Sequence, residues 1–256
     1  MLGKTQSKKT QRPNKSQNTT KESSHGCVLK NLMKESGILY IVATPIGNLG
    51  DMTLRALETL KSVDVVLSED TRVTGHLLRH FEIAKPLVSF HEHTDREKAE
   101  KLIARLQAGE NMALVTDAGT PGVSDPGNVL VALAIEAGIR AIPIPGASAI
   151  GAIVSVAGID MQEFVFRGFP PHKKGRETFF RAVAESIIPV IYYESPHRVL
   201  KNLELLLSLA PEKKLVLGRE LTKIFEEVVR GSVGEVKEYL EKKVGKMKGE
   251  FVILVY

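Results

Sequence analysis

Cysteine is nearly absent from this chain, which holds only Cys27 among its 256 residues. A lone thiol has no partner within the chain, so neither a disulfide framework nor a cysteine metal cluster explains the fold. Such scarcity fits a reducing compartment, and we expect a cytoplasmic protein.

Long hydrophobic runs are missing as well. The most apolar region, residues 129–159, is interrupted by Glu136, Arg140 and several prolines and glycines. It therefore has no stretch of the roughly 20 apolar residues that a membrane-spanning helix needs. No apolar core follows the lysines near the N-terminus, which argues against a secretory signal. We expect a soluble protein without membrane association.

The net charge of +5 is concentrated at the N-terminus. Residues 1–36 carry eight Lys or Arg against two Glu, a net +6, so the remaining chain sums to −1. This polar segment lacks hydrophobic periodicity until Val28, which predicts a basic disordered extension over residues 1–36. It is either a plain solvated extension or a tether that attracts the phosphates of a nucleic acid, with strong salt dependence.

From Gly37 onward, short apolar runs alternate with helical patterns, which is typical of an α/β domain with a mostly parallel sheet. The predicted strands are 38–43, 63–67, 87–90, 112–116 and 141–144, and then 163–168, 190–193, 215–217, 227–229 and 250–255. A helix of small residues over 147–157 precedes a boundary near Asp160. The second unit has fewer crossover helices, which predicts a mixed sheet. The predicted domains are 37–160 and 161–256.

The segment Thr116–Gly127 stands where an apolar strand gives way to a helix. Its three glycines and two prolines leave the backbone bare, so a ligand can approach N–H and C=O groups directly. Ordinary strand-to-helix loops have roughly two to six residues. A glycine-rich loop of this length therefore indicates a ligand cradle rather than a simple connection.

A second glycine loop, Thr44–Asp51, follows the first strand at the edge where open α/β sheets bind ligands. It matches neither G-x-G-x-x-G nor G-x-x-x-x-G-K-[ST], so a nicotinamide-dependent oxidoreductase and a nucleoside triphosphate enzyme both lack their fingerprints. The alternative for this loop is a tight turn in which Asp51 caps the helix from Thr53.

Polar residues also follow the next two strands. Glu69–Arg72 places two carboxylates and a guanidinium at the sheet edge, where they either hold a ribose diol or cap a helix. His91 and His93 resemble a metal-ligand pair, but they lack a third ligand nearby in the sequence. No metal site is therefore predicted.

Four further segments bring functional groups to strand ends. Pro145–Ala149 is a strand-to-helix turn whose Ser148 and amides suit a carboxylate or a polar ligand edge. Arg167–Arg176 is basic with aromatic and proline residues, as in a loop that contacts phosphates, although a solvated loop explains it equally well. Glu194–Arg198 and Gly218–Lys223 each combine acids with bases, which is more than a scaffold requires.

Together these motifs resemble the tetrapyrrole methylase superfamily and, within it, the bacterial 16S ribosomal RNA cytidine 2′-O-methyltransferase family. The resemblance is carried by Ala43–Asp51, Glu69–Arg72, His91–His93, Thr116–Gly127, Pro145–Ala149, Glu194–Arg198, Gly218–Lys223 and Lys248–Val252. The porphyrin and corrin enzymes typically have a G-D-P turn where this chain has Asp117–Pro121. The ribosomal branch is therefore favoured.

The resemblance implies two α/β domains, usually in a homodimer, with S-adenosylmethionine held in the cleft between the domains. The cofactor contacts that it implies are Pro45, Asp117, Gly119, Thr120, Ser148, Ala149 and Gly249. The chemistry of alcohol methylation adds three acid/base candidates, Glu194, Glu220 and His91. Arg198 and Lys223 are candidates for orienting the target nucleotide.

The function implied is S-adenosylmethionine-dependent 2′-O-methylation of a cytidine ribose in 16S ribosomal RNA, within the small ribosomal subunit. Two alternatives stay open at this level. The same fold and cofactor could methylate a tetrapyrrole or another small molecule. A non-enzymatic RNA-binding module carried by the basic extension would leave the glycine loops unexplained.

Overall fold

The structure, a computed structural model, describes residues 35–91, 94, 96–125, 127–243 and 248–256. The basic extension predicted over residues 1–36 lies almost entirely outside the described residues, and so do Glu92 and His93. Residues 35–256 make up one compact unit. Among the described helices, none has the length and apolar character that crossing a membrane requires.

Five parallel strands make up the first sheet, in the order β3-β2-β4-β1-β5. The strands are β1 (Ile38–Val42), β2 (Val65–Ser68), β3 (Leu87–Ser89), β4 (Met112–Val115) and β5 (Arg140–Ile144). The helices are α1 (Leu54–Ser62), α2 (Thr71–His80), α3 (Arg96–Gln107), α4 (Gly127–Glu136) and α5 (Ala149–Ser155). The predicted parallel α/β architecture is confirmed.

Alternate residues of the strands in this sheet contribute to two separate hydrophobic cores, one on each face. Leu67 and Leu114 point to one face and pack with α3 and α4 residues, whereas Val66 and Ala113 point to the other and pack with α1 and α2 residues. β2 and β4 are buried at every position, and apart from Ser68 at the end of β2 their residues are all apolar, as expected of a parallel sheet covered on both faces.

The second sheet is mixed, in the order β6-β7-β10-β8-β9, with β6 and β7 parallel and the remaining pairs antiparallel. Its strands are β6 (Val165–Phe166), β7 (Val190–Glu194), β8 (Lys214–Arg219), β9 (Glu227–Ser232) and β10 (Phe251–Val255). The helices α6 (Arg176–Ala184), α7 (Val199–Leu209) and α8 (Val233–Glu241) pack together on one face. The predicted mixed sheet is confirmed.

Helix α5 covers the opposite face of the second sheet. Its Ile153 is fully buried in a cluster with Ile191, Val216 and Val252. A Cβ atom on Gly218 of β8 would lie 3.1 Å from the Ile153 Cδ1 atom, so the missing side chain lets helix and strand approach closely. The predicted helix of small residues thus follows the first sheet in the chain and packs on the second. A domain boundary at residue 160 stays a proposal.

The helix caps correct one expectation and support another. Asp51 does not cap α1, because it belongs to a short 3-10 turn and the chain is extended at Met52 and Thr53 before the helix begins. Thr53 is the N-cap, and its hydroxyl accepts a hydrogen bond from the Ala56 amide at 3.1 Å. Asp70 does cap its helix, α2, as the scaffold interpretation expected.

Gly37 provides a test of close backbone packing at the start of β1. A Cβ atom there would lie 1.8 Å from the main-chain oxygen of Glu110, which cannot rotate away. We expect Gly37→Ala to lower the free energy of unfolding by roughly 1–3 kcal/mol, measured by urea denaturation. Gly75→Ala in α2 is the matched control, because its Cβ would lie 3.6 Å from Leu87. It should leave stability unchanged or raise it by up to about 1 kcal/mol. Equal losses in both variants would contradict this packing argument.

Candidate functional site

The two glycine loops meet through their backbones. The Thr44 amide donates to the Gly119 carbonyl oxygen at 2.9 Å, and the Gly119 amide donates to the Thr44 carbonyl oxygen at 3.1 Å. The Thr44 hydroxyl also donates to the Thr116 carbonyl oxygen at 3.0 Å. The turn at residues 145–149 joins them, because the Thr120 hydroxyl donates to the Ala147 carbonyl oxygen at 3.3 Å. Three strand-end loops thereby form one surface.

The shape of the Thr116–Gly127 loop depends on glycine. Gly119 and Gly122 have φ angles of 85° and 87°, a region that side chains disfavour. The Asp125 carboxylate holds the far end of the loop, since its Oδ1 atom accepts hydrogen bonds from the Gly122 amide at 2.6 Å and the Gly127 amide at 3.1 Å. The glycines bend the chain, and one internal carboxylate fixes the bend.

A cavity of about 350 Å³ lies between this surface and the second sheet. On the first side it is lined by Asp117, Gly119, Thr120, Ser148 and Ala149. On the second side it is lined by Tyr193, Gly218, Leu221, Gly249 and Val252. Six of the seven predicted cofactor-binding residues therefore border a single cavity. Its volume falls within the range of about 300–1,000 Å³ that is usual for small-molecule sites.

A second cavity, also of about 350 Å³, adjoins the first. Pro45, the remaining predicted cofactor residue, lines this one, together with Gly47 and Lys223. Asp117 and Ala118 border both cavities. The carboxylate of Asp117 therefore stands where two ligands could meet.

The Asp117 side chain is oriented by the neighbouring strand end. Its Oδ1 atom accepts a hydrogen bond from the Asp70 amide at 3.1 Å. Asp70 itself is engaged with Arg72, whose side-chain hydrogen bond lowers the pKa of that carboxyl to about 2. The Asp70 carboxyl is thus charged at neutral pH. Asp70 is engaged as the N-cap of α2 and in an ion pair with Arg72, whereas Asp117 is exposed.

Glu194 is buried and fully engaged, with a side chain that has no solvent exposure. Its Oε1 atom accepts from the Ser195 amide at 2.8 Å and lies 3.1 Å from Arg198 Nε. Its Oε2 atom accepts from the Asn202 amide group. Arg198 in turn donates through Nη1 to the Pro170 carbonyl oxygen at 2.9 Å. Glu194 lines the first cavity and Arg198 does not. With all its bonds made inside the protein, the pair is better suited to positioning than to proton transfer.

Lys223 connects the loop after β8 to the first glycine loop. Its Nζ atom donates to Glu220 Oε1 at 2.8 Å and to Glu250 Oε2 at 3.3 Å. A Cβ atom on Gly47 would lie 2.3 Å from Lys223 Cγ, so the lysine stem lies directly over this glycine. Burial raises the pKa of Glu220, but hydrogen bonds from Lys223 and the Glu250 amide outweigh it and lower the pKa overall. A carboxylate stabilised in its charged form is a weaker base.

The remaining candidates do not line the two cavities. Arg198, Glu220 and His91 line neither cavity. His91 follows the end of β3 by two residues, and its amide donates to the Thr94 hydroxyl at 2.8 Å. Burial raises the pKa of Tyr193 to about 12, with a contribution from Asp125, so this lining phenol stays neutral. Within the part of the chain that the structure describes, no cluster of three His, Cys, Asp or Glu side chains suits a metal ion.

Several lining residues were not predicted. Ile46, Phe169 and Leu221 give the first cavity its apolar wall. Ile46 lies in a loop that was singled out for its glycines, and Leu221 lies in a motif that was singled out for its acidic and basic members. The signal that could have identified them is their apolar character at positions that follow strand ends.

Comparison with known proteins agrees with this geometry. Residues 38–237 match the model of the tetrapyrrole (corrin/porphyrin) methylases. The chain is 48% identical over 221 residues to ribosomal RNA small subunit methyltransferase I of Synechocystis sp., covering 86% of this chain and 78% of the relative. It is 47% identical over 221 residues to the protein of the same name from Escherichia coli O157:H7, covering 86% and 77%.

Solved structures share the fold at lower identity. A cobalt precorrin-4 methyltransferase superposes with a TM-score of 0.64 at 18% identity, over 84% of this chain and 93% of that chain. A uroporphyrin-III-C-methyltransferase from Thermus thermophilus superposes with a TM-score of 0.59 at 22% identity, over 85% and 94%. By sequence and by fold, this chain belongs to the tetrapyrrole methylase family and, within it, to the group named ribosomal RNA small subunit methyltransferase I.

Proposed function

We propose that this chain transfers a methyl group from S-adenosylmethionine to the ribose 2′-oxygen of a cytidine in 16S ribosomal RNA. The broader activity, S-adenosylmethionine-dependent methylation of small-subunit ribosomal RNA, follows from family membership and from relatives of that name at 44–48% identity. The cytidine and the 2′-oxygen are supported by the motif pattern. The assembled small subunit as substrate and a homodimer as the active form stay predictions.

The observation that carries this proposal is the cavity bordered by Asp117, Gly119 and Gly249. Two glycines with φ angles of 85° and 107°, Gly119 and Gly249, keep its wall free of side chains at these points. The amide and the carbonyl of Gly119 bond to Thr44, so this glycine makes room for a ligand and does not bind it through those groups. Ile46, Leu221 and Val252 supply apolar walls for a flat ring. A neutral nucleoside joined to a charged amino acid end fits such a mixture of amides, one carboxylate and aliphatic side chains.

S-adenosylmethionine supplies an electrophilic methyl group on a sulfonium sulfur. The protein residues have the tasks of binding, orienting and excluding water. Asp117 offers negative charge at the junction of the two cavities, and Thr120, Ser148 and Ala149 offer hydroxyl and amide groups on one wall. Correct placement of the two reactants supplies a large share of the rate enhancement in such a transfer.

The acceptor hydroxyl must lose a proton as the new bond forms. Glu194 has both oxygens occupied and Glu220 is held in its charged form by Lys223, so neither is well placed to receive it. We assign Glu194 and Arg198 to positioning, because they fix the segment at Pro170 beside the first cavity. Lys223 lines the second cavity and is available to orient the acceptor.

The decisive test is methylation of small ribosomal subunits isolated from a strain that lacks this gene. Purified protein with labelled S-adenosylmethionine should add a methyl group that mass mapping places on one cytidine ribose. A methyl group on a base would retain the ribosomal RNA assignment and contradict the 2′-oxygen. Methylation of a tetrapyrrole such as uroporphyrinogen III, without methylation of subunits, would establish the alternative acceptor.

Asp117 gives a direct test of the cofactor cavity. We expect Asp117→Ala to weaken binding of S-adenosylhomocysteine roughly 10- to 100-fold, because hydrogen bonds to charged groups contribute about 1.5–3 kcal/mol. Isothermal titration calorimetry measures the change. Asp51→Ala removes an exposed carboxylate that lines neither cavity and should bind normally. Unchanged affinity in Asp117→Ala would remove Asp117 from the cofactor site.

Glu194 and Arg198 give a test that separates positioning from proton transfer. We expect Glu194→Gln and Arg198→Ala each to lower kcat/KM for small subunits roughly 10- to 100-fold, because small displacements near the reacting groups are costly. Glu194→Gln should keep the shape of the wild-type pH–rate profile. Glu204→Gln, an exposed carboxylate on α7, is the control. Loss of an ionisation from the profile would make Glu194 the base, and wild-type rates in both variants would exclude the pair.

A further inference from the structure

Phe169 is a large aromatic side chain left in solvent at the edge of the first cavity. It is 53% exposed, whereas Phe179 and Phe180 of the following helix are buried. Its ring centroid lies 5.3 Å from that of Tyr193, which also lines the cavity. Exposing a phenylalanine forgoes favourable burial, so a ligand that covers the ring would restore that contribution.

The backbone on both sides of Phe169 is held in place. The Gly168 carbonyl oxygen accepts a hydrogen bond from the Tyr193 amide at 2.9 Å. The Pro170 carbonyl oxygen accepts one from Arg198 Nη1 at 2.9 Å, and Glu194 fixes Arg198 from the buried side. The exposed ring is therefore presented by a rigid segment, which lowers the entropy lost when a flat ligand stacks on it.

A run of cations follows within seven residues of the ring. Lys173 and Lys174 are exposed and Arg176 is partly exposed, and none of the three makes an ion pair among the described residues. S-adenosylmethionine has no phosphate and only one carboxylate, so three adjacent cations exceed what the cofactor needs. Phosphates flanking a methyl acceptor would use them. An aromatic face beside unpaired cations is the usual combination for single-stranded nucleic acid.

We propose that Phe169 is the platform on which the base of the target nucleotide stacks, with Lys173, Lys174 and Arg176 holding the flanking phosphates. The inference rests on the proposed function and adds the residues that recognise the acceptor. The base lies on the ring of Phe169, outside the stack of its own strand, and its ribose then faces the cavity that Asp117 and Gly249 border. Sequence-specific recognition of RNA commonly uses bases splayed out in this way.

The test compares substitutions of Phe169 in the full chain, with small subunits as substrate. Phe169→Ala and Phe169→Leu should each lower kcat/KM roughly 10- to 100-fold, in line with stacking of about 1–3 kcal/mol per base. Phe169→Tyr and Phe169→Trp keep a flat ring and should stay within about threefold of wild type on the same stacking argument. Because Phe169 borders the first cavity only at its edge, Phe169→Ala and Phe169→Leu should lose much less affinity for S-adenosylhomocysteine than they lose in kcat/KM, and Phe169→Tyr and Phe169→Trp should bind it normally. Phe164→Ala, which removes an exposed phenylalanine outside the cavity, is the control.

The outcomes separate the possible roles of the ring. Wild-type activity in Phe169→Leu would show that apolar bulk suffices and would overturn the stacking proposal. A parallel loss of S-adenosylhomocysteine affinity would assign the ring to the cofactor and overturn it as well. If the wild-type protein leaves subunits unmethylated, the proposed function is wrong, and this inference, which rests on it, is wrong as well. Normal methylation by wild type and by Phe169→Ala alike contradicts this inference alone.

The phosphate contacts have their own measurement. Replacing Lys173 and Lys174 together with Ala should reduce the slope of log affinity against log salt concentration by about 1.4–1.8, since each phosphate contact contributes roughly 0.7–0.9. Lys201→Ala, an exposed lysine on α7, should leave the slope unchanged. An unchanged slope in the double variant would contradict the assignment of these lysines to phosphates.

Discussion

A pair of main-chain hydrogen bonds between Thr44 and Gly119 is the constraint on which the site depends. They set the distance between two loops that leave different strands, and they use backbone atoms, so the side chains of both loops stay available. The bridge requires a φ angle of 85° at Gly119, which explains a glycine there. Both cavities meet at Asp117, two residues before this bridge. Loosening it would therefore disturb both ligand positions together.

Much of the fold could be predicted, because buried parallel strands have continuously apolar sequences and their boundaries are marked by turn residues. The deviations have local causes. Val63 was predicted to begin a strand but caps the end of α1, since its amide still bonds to the Thr59 carbonyl oxygen. The strand predicted at 163–168 shortens to Val165–Phe166, because β6 is an edge strand that pairs with β7 only over those residues. Where a strand begins and ends depends on the neighbouring strands and helices, which the sequence of one segment does not reveal.

The same distinction between local and long-range information applies to the candidate site. Glycine and proline report backbone geometry locally, so the loops around Gly119 and Ser148 could be identified from sequence, whereas Gly249 was implied only by the family resemblance. Side-chain roles depend on contacts between distant segments. The burial of Glu194 follows from its bonds to Arg198 and Asn202 on the next helix. Lys223 lies over Gly47, which is far away in the sequence. The sequence shows the acid and base of Glu194–Arg198 but not their burial, and nothing in it places Lys223 over Gly47.

The two halves of the cleft contribute different chemistry. The first sheet supplies bare amides and the carboxylate of Asp117, which suit one small charged ligand. The second half supplies an exposed ring at Phe169 and cations that the cofactor does not require. Methyltransferases of corrins and porphyrins share this fold at 18–22% identity, so the fold by itself does not choose the acceptor. The choice must then come from side chains at the mouth of the cleft. Arg198, paired with the buried Glu194, bonds to the Pro170 carbonyl oxygen beside that mouth, which is why we propose a positioning role for the pair.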